Sequence, residues 1–63
     1  MKYFDVYLEG GHIIPMQHND DNIKADEILK EIHSKDEVVL VNSLGATAAI
    51  LSFKIIAVVE SGH

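Results

Sequence analysis

The chain contains no cysteine, so neither a disulfide network nor a thiolate metal centre can supply its stability. It also contains no arginine, and ten carboxylates stand against five lysines for a formal charge of −5. A general nucleic-acid binder neutralises phosphates with a basic face and commonly reads bases through Arg, so this balance argues against that class. It also weakens a site for a phosphorylated small molecule, although backbone N–H groups and a few lysines can still hold a phosphate locally. No apolar run approaches the roughly 18 residues of a membrane span, and Met1-Lys2-Tyr3-Phe4-Asp5 has no apolar leader core. Taken together, these absences lead us to expect a soluble, cytoplasmic protein that engages neither membrane nor nucleic acid, and for which no cofactor is implied.

Sixty-three residues make one small α+β domain spanning 1–63, with 61–63 expected as a frayed tail. A chain this short buries only about 60% of the surface its unfolded form exposes. Ordering it costs roughly 1.5 kcal/mol per residue, and small domains usually offset this with disulfides, a metal or a partner subunit, of which the absence of Cys removes the disulfides and thiolate metal sites.

Residues 3–9 alternate, with Phe4, Val6 and Leu8 on one side and Tyr3, Asp5, Tyr7 and Glu9 on the other, as a half-buried strand does. Gly10-Gly11 accepts positive φ at both positions of a tight turn, and His12-Ile13-Ile14 resumes a β pattern. This predicts a β-hairpin, with Pro15 marking the second strand as an edge, or as bulged or short. The polar cluster His18-Asn19-Asp20-Asp21-Asn22 leads into Ala25, Ile28, Leu29 and Ile32, spaced i, i+3, i+4 and i+7. That spacing predicts an amphipathic helix from about residue 22 or 24 to about 34, with the Asp20-Asp21 cluster read as helix capping. Val38-Val39-Leu40-Val41 is a third strand, Asn42-Ser43-Leu44-Gly45 a turn, Ala46 to Leu51 its partner, and Lys54 to Glu60 a last apolar strand after a bend or bulge at Ser52. The predicted order is ββαβββ, or ββαββ if 46–60 is one bent strand, with the C-terminal strands forming a two- or three-stranded antiparallel meander.

One three-turn helix covers one sheet face. The C-terminal strands nevertheless carry apolar residues on both sides, with Val39, Val41, Ile56 and Val58 among them, where a solvated strand would alternate. The surplus is absorbed either by curling into a small closed barrel or by sharing or stacking the sheet in a homo-oligomer, and the short length favours the oligomer, with those four residues at its interface.

For chemistry, the four histidines fall at 12, 18, 33 and 63, with no pair at i, i+4 on one helix face, and this spacing does not make a metal site. Asp20-Asp21 lacks the register of a calcium loop. There is no Cys nucleophile, nucleophile elbow or phosphate loop, and most carboxylates lie on turns or the outer helix face. No catalytic residue emerges, and a non-enzymatic role is expected. Tyr3 and Tyr7 share one strand face and suit either a subunit interface or the stacking of a planar ligand. The turn residues Ser43, Gly45 and Thr47 offer hydroxyls and backbone N–H groups to an anion or a base edge, and Lys54 adds a charge beside them if the chain brings them together.

Gly45-Ala46-Thr47-Ala48-Ala49-Ile50, followed by Lys54-Ile55-Ile56-Ala57-Val58-Val59-Glu60, resembles the ends of short uncharacterised proteins from bacterial viruses and prophages of Gram-positive hosts. The resemblance covers under half of the chain. It implies a small oligomeric viral protein, among which are anti-defence sponges that trap a nucleotide-type immune signal between subunits, and it transfers no binding residue. Three readings follow: an interaction module that occupies a host protein, an oligomer that sequesters a small nucleotide-like ligand at intersubunit pockets, and a regulatory enzyme subunit. Convergence of Lys2, Lys54, Tyr3, Tyr7 and the 43–47 turn on a concave pocket discriminates the second from the first.

Overall fold

The computed structural model describes residues 1–61. The element order is ββαβββ: β1 (Lys2–Leu8), β2 (Ile13–His18), α1 (Ala25–His33), β3 (Glu37–Val41), β4 (Thr47–Leu51), a 3-10 turn (Ser52–Lys54) and β5 (Ile55–Glu60). This is the α+β fold expected from the sequence, and the strands remain an open arrangement rather than a barrel.

The hairpin β1–β2 forms where alternation and the glycine pair place it. Gly10 and Gly11 have φ of +94° and +90°, values that a side chain would strain. The Leu8 N–H donates to the His12 carbonyl at 2.8 Å, which makes that pair a bonded one. Every second pair beyond it is bonded as well, so Val6–Ile14 and Phe4–Met16 bond while Asp5–Pro15 does not. Pro15 therefore occupies a slot whose backbone nitrogen faces away from β1, where β2 forms the edge and no donor is needed.

The last strand does not stay with its chain neighbours. β5 runs antiparallel to β1 on the side opposite β2, giving the order β2-β1-β5, while β3 and β4 form a ribbon of their own. Leu8 faces Ile55 and Tyr7 faces Ala57, so Ile56 is an extra residue in a bulge. Ser61, at the start of the expected tail, still donates its N–H to the Tyr3 carbonyl at 2.9 Å. The remainder of that tail, 62–63, lies outside the described residues.

Phe4, Val6 and Met16 from the hairpin, Ile28 and Ile32 from α1, Leu40 from β3 and Ile55 from β5 meet in one buried cluster. Their convergence accounts for the helix position, because a nine-residue helix is too short to persist without docking its apolar stripe. The capping expectation is corrected here. Lys24 is the N-cap and contributes no side-chain bond, while Asp20 Oδ1 instead accepts the Asn22 N–H at 2.9 Å. Ile23, buried between cluster and helix, separates the two by the residues a cap would need. At the other end, His33 Nε2 lies 3.0 Å from the Ile55 carbonyl oxygen and ties the helix terminus to β5.

Two polar clasps join the parts. Ser52, the buried polar residue among those described, donates its hydroxyl to the Lys35 carbonyl and its N–H to the Asp36 carbonyl at 2.9 Å. The bend expected there is thus a 3-10 turn fastened to the end of the helix segment. Lys2 Nζ donates to the Ile23 carbonyl at 2.9 Å, pairs with Glu60 at 3.2 Å and lies 5.8 Å from the Phe4 ring centre. Lys2 is therefore held in structural contacts.

Candidate functional site

Among the described residues, two sheet faces lie away from the core. The first is the outer face of the β3–β4 ribbon. The register sets Val39 beside Ala49, Val41 beside Thr47 and Glu37 beside Leu51, and all six are exposed while Leu40 is buried and Val38, Ala48 and Ile50 are half-buried. The ribbon does alternate, but its solvent side is written mostly in apolar residues. Val39 is 65% exposed and Leu44, at the turn, 89%. On β5, the bulge leaves Ile56 63% exposed, whereas Val58 is half-buried against the core opposite Val6. Of the four residues expected at an interface, Val39, Val41 and Ile56 face water and Val58 packs inward.

The second surface is the outer face of the three-stranded sheet. β1 lies at its centre, with Tyr3, Asp5 and Tyr7 in a row, Gln17, Pro15 and Ile13 beside them on β2, and Val59 and Ala57 on β5. The β3–β4 turn reaches one end of this face. A cleft of about 450 Å³ there is lined by Tyr3, Asp5, Pro15, Ser43 and Ser61, with Phe4 and Met16.

The fold thus brings Tyr3 and Ser43 together. Tyr7 shares the face but does not line the cleft. Thr47 lines a separate hollow of about 70 Å³ with Pro15, Leu40 and Asn42. Lys54 sits by the opposite end of β1, 3.7 Å from Glu9 and 5.4 Å from the Phe53 ring centre. Gly45 supplies geometry: its φ of +82° closes a three-residue loop, with its N–H donated to the Asn42 carbonyl at 3.0 Å. Asn42 Oδ1 accepts the N–H groups of Leu44 at 2.9 Å and Ala46 at 3.1 Å. The Gly45 amide that the sequence offered to an anion is therefore already engaged, as are those of its neighbours Leu44 and Ala46.

The wall of the cleft carries a carboxylate and hydroxyls and no lysine, so it offers a phosphate no countercharge. A third cleft of about 230 Å³ separates α1 from the neighbouring β2 and β3, with His18, Glu31, Lys35 and Glu37 among its lining. The His18 Nδ1 accepts the Asp20 N–H at 3.1 Å, and His33 serves the helix end. His63 lies outside the described residues. Asp5, Pro15 and Ser61 were not singled out as site residues by sequence reasoning. The alternation of β1 does put Asp5 between the two tyrosines, but only β2 and the distant turn make a cleft of them.

Compared with known proteins, the chain matches no family model, no curated protein and no solved structure. No helix among the described residues is long and apolar enough to cross a membrane.

Proposed function

We propose that this chain is a non-catalytic binding protein that works as a homo-oligomer and acts through a protein partner. The observation that carries the reading is the outer face of the β3–β4 ribbon, where Val39, Val41, Ala49 and Leu51 lie together in water. From Val38 to Phe53 no residue is charged, so the charge on this face is confined to Glu37 at its margin beside Leu51, and a largely apolar exposed surface of this kind marks an interaction site. Stacking one ribbon face on that of another copy removes it from water and supplements a core of eight buried apolar residues. The Tyr3-Asp5-Tyr7 face is then left for the partner, with aromatic rings flanking a carboxylate. A phage or prophage accessory role belongs to this reading through the likeness of residues 45–60 alone.

Capture of a small ligand is a second reading, favoured by the meeting of Ser43 and Tyr3 at one cleft. The Asp5 carboxylate on its wall and the remoteness of Lys54 set this cleft against a nucleotide-type anion. An intersubunit pocket that recruits Lys54 from another copy is the form in which such a ligand would still be held.

Sedimentation equilibrium from micromolar to millimolar concentration tests the first reading, followed by native mass spectrometry of the protein drawn from cell lysate. Assembly with a retained protein supports it. A single copy at all concentrations refutes it, and a co-purifying nucleotide-sized mass with no protein favours the second reading.

A further inference from the structure

Resting on the homo-oligomer reading, we infer that β4 pairs edge to edge with β4 of a second copy, in antiparallel register about a two-fold axis through Ala49. An open strand edge is a template for pairing, and folds blunt such edges with proline, charge, bulges or cover. Here the edges differ. On β2, Pro15 removes an outward donor. On β5, a bulge at Ile56 and the charge of Glu60 interrupt the row. β3 starts at Glu37 and runs beside β2 across the cleft shared with α1. By contrast β4, Thr47-Ala48-Ala49-Ile50-Leu51, has no proline, charge or bulge, and among the described residues it is bonded to β3 alone.

The hydrogen bonding of the ribbon fixes which groups are free. Asn42 donates to Ala46 at one end and Ser52 to Asp36 at the other, so the bonded pairs between them are Leu40–Ala48 and Val38–Ile50. Thr47, Ala49 and Leu51 therefore turn their N–H and C=O groups away from β3. Antiparallel pairing centred on Ala49 sets Ala49 against its own copy and Thr47 against Leu51 of the second chain, making about six backbone hydrogen bonds. The operation is self-complementary and consumes both edges, so it closes at two chains instead of growing into a fibril.

Charge selects the same seam. Two copies at −5 each repel, and the uncharged stretch from Val38 to Phe53 is where they approach with least cost. The small side chains of Ala48 and Ala49 add no steric barrier. The product is a four-stranded sheet whose outer face joins two copies of the Val39, Val41, Ala49 and Leu51 patch, the surface that stacking then covers.

Ala49→Pro tests this directly, because it deletes an outward N–H and leaves the β3–β4 ladder intact, as Pro15 does on β2. Sedimentation equilibrium should show the assembled mass at least halved, with the far-ultraviolet circular dichroism of the folded chain retained. Should the variant fail to fold, amide hydrogen exchange on the native protein decides: the Ala49 N–H is protected increasingly with concentration if the seam exists. An unchanged mass for folded A49P, or a fast-exchanging Ala49 amide in an assembled native protein, overturns the edge pairing while self-association stands. A native protein that never assembles overturns both.

Discussion

Val39→Thr isolates the ribbon face, because it keeps shape and β-branching and changes one methyl to a hydroxyl. Val39 is 65% exposed in the single chain and lies beside Ala49, so the new hydroxyl stays hydrated there. Its effect on folding should be within about 0.5 kcal/mol, as for other surface substitutions. In a stacked assembly the same hydroxyl is removed from water without a partner, at about 1–3 kcal/mol. Two edge-paired units stacked face to face bury four of them, so stacking weakens by about 4–12 kcal/mol, or at least roughly a thousandfold in dissociation constant. Sedimentation equilibrium should show the stacked form dissociating to its edge-paired unit, while a thermal melt of the dissociated chain stays put. An unaltered dissociation constant would refute the burial of this face. A large loss of stability in the dissociated chain would show that Val39 already packs within one copy.

Val58→Asp should abolish folding, and assembly with it, since a carboxylate placed opposite Val6 against the core costs several kcal/mol; an unshifted denaturation midpoint would contradict that placement. Ser52→Ala leaves the Lys35 carbonyl without its hydroxyl donor and should cost about 1–3 kcal/mol. At about 4–8 °C per kcal/mol for a domain of this size, a calorimetric scan reads this loss easily, and a shift below about 2 °C would demote the clasp.

The first hairpin and the helix were legible in the sequence because each carries a single period. Residues 3–9 repeat every two and residues 25–32 every three or four, and Gly10-Gly11 marks the turn between strands. The ribbon was legible as strands but not in its facing, because Val38 to Val41 gives no polar residue to say which side is wet. Cover on both faces was the natural inference, whereas the fold covers one and leaves the other bare. The placement of β5 beside β1 left no local trace, since antiparallel partners are chosen by long-range packing. For the same reason the meeting of Tyr3 with Ser43 was out of reach, and so was the separation of Lys54 from both. Capping failed as a guide because Ile23, apolar and adjacent to the polar cluster, is drawn into the core before the helix begins.

The central sheet is completed by β5, the described strand farthest along the chain from β1. Until Ile55 to Val58 have emerged from the ribosome, Phe4 and Val6 have a neighbour on one side only, and a lone two-stranded hairpin is marginal in water. Closure waits on a contact between the first and last of the described strands, a non-local pairing of the kind that slows folding. The β3–β4 ribbon, local in sequence, needs no such contact to pair its two strands. The edge that the proposed β4 pairing uses is thus complete without the central sheet.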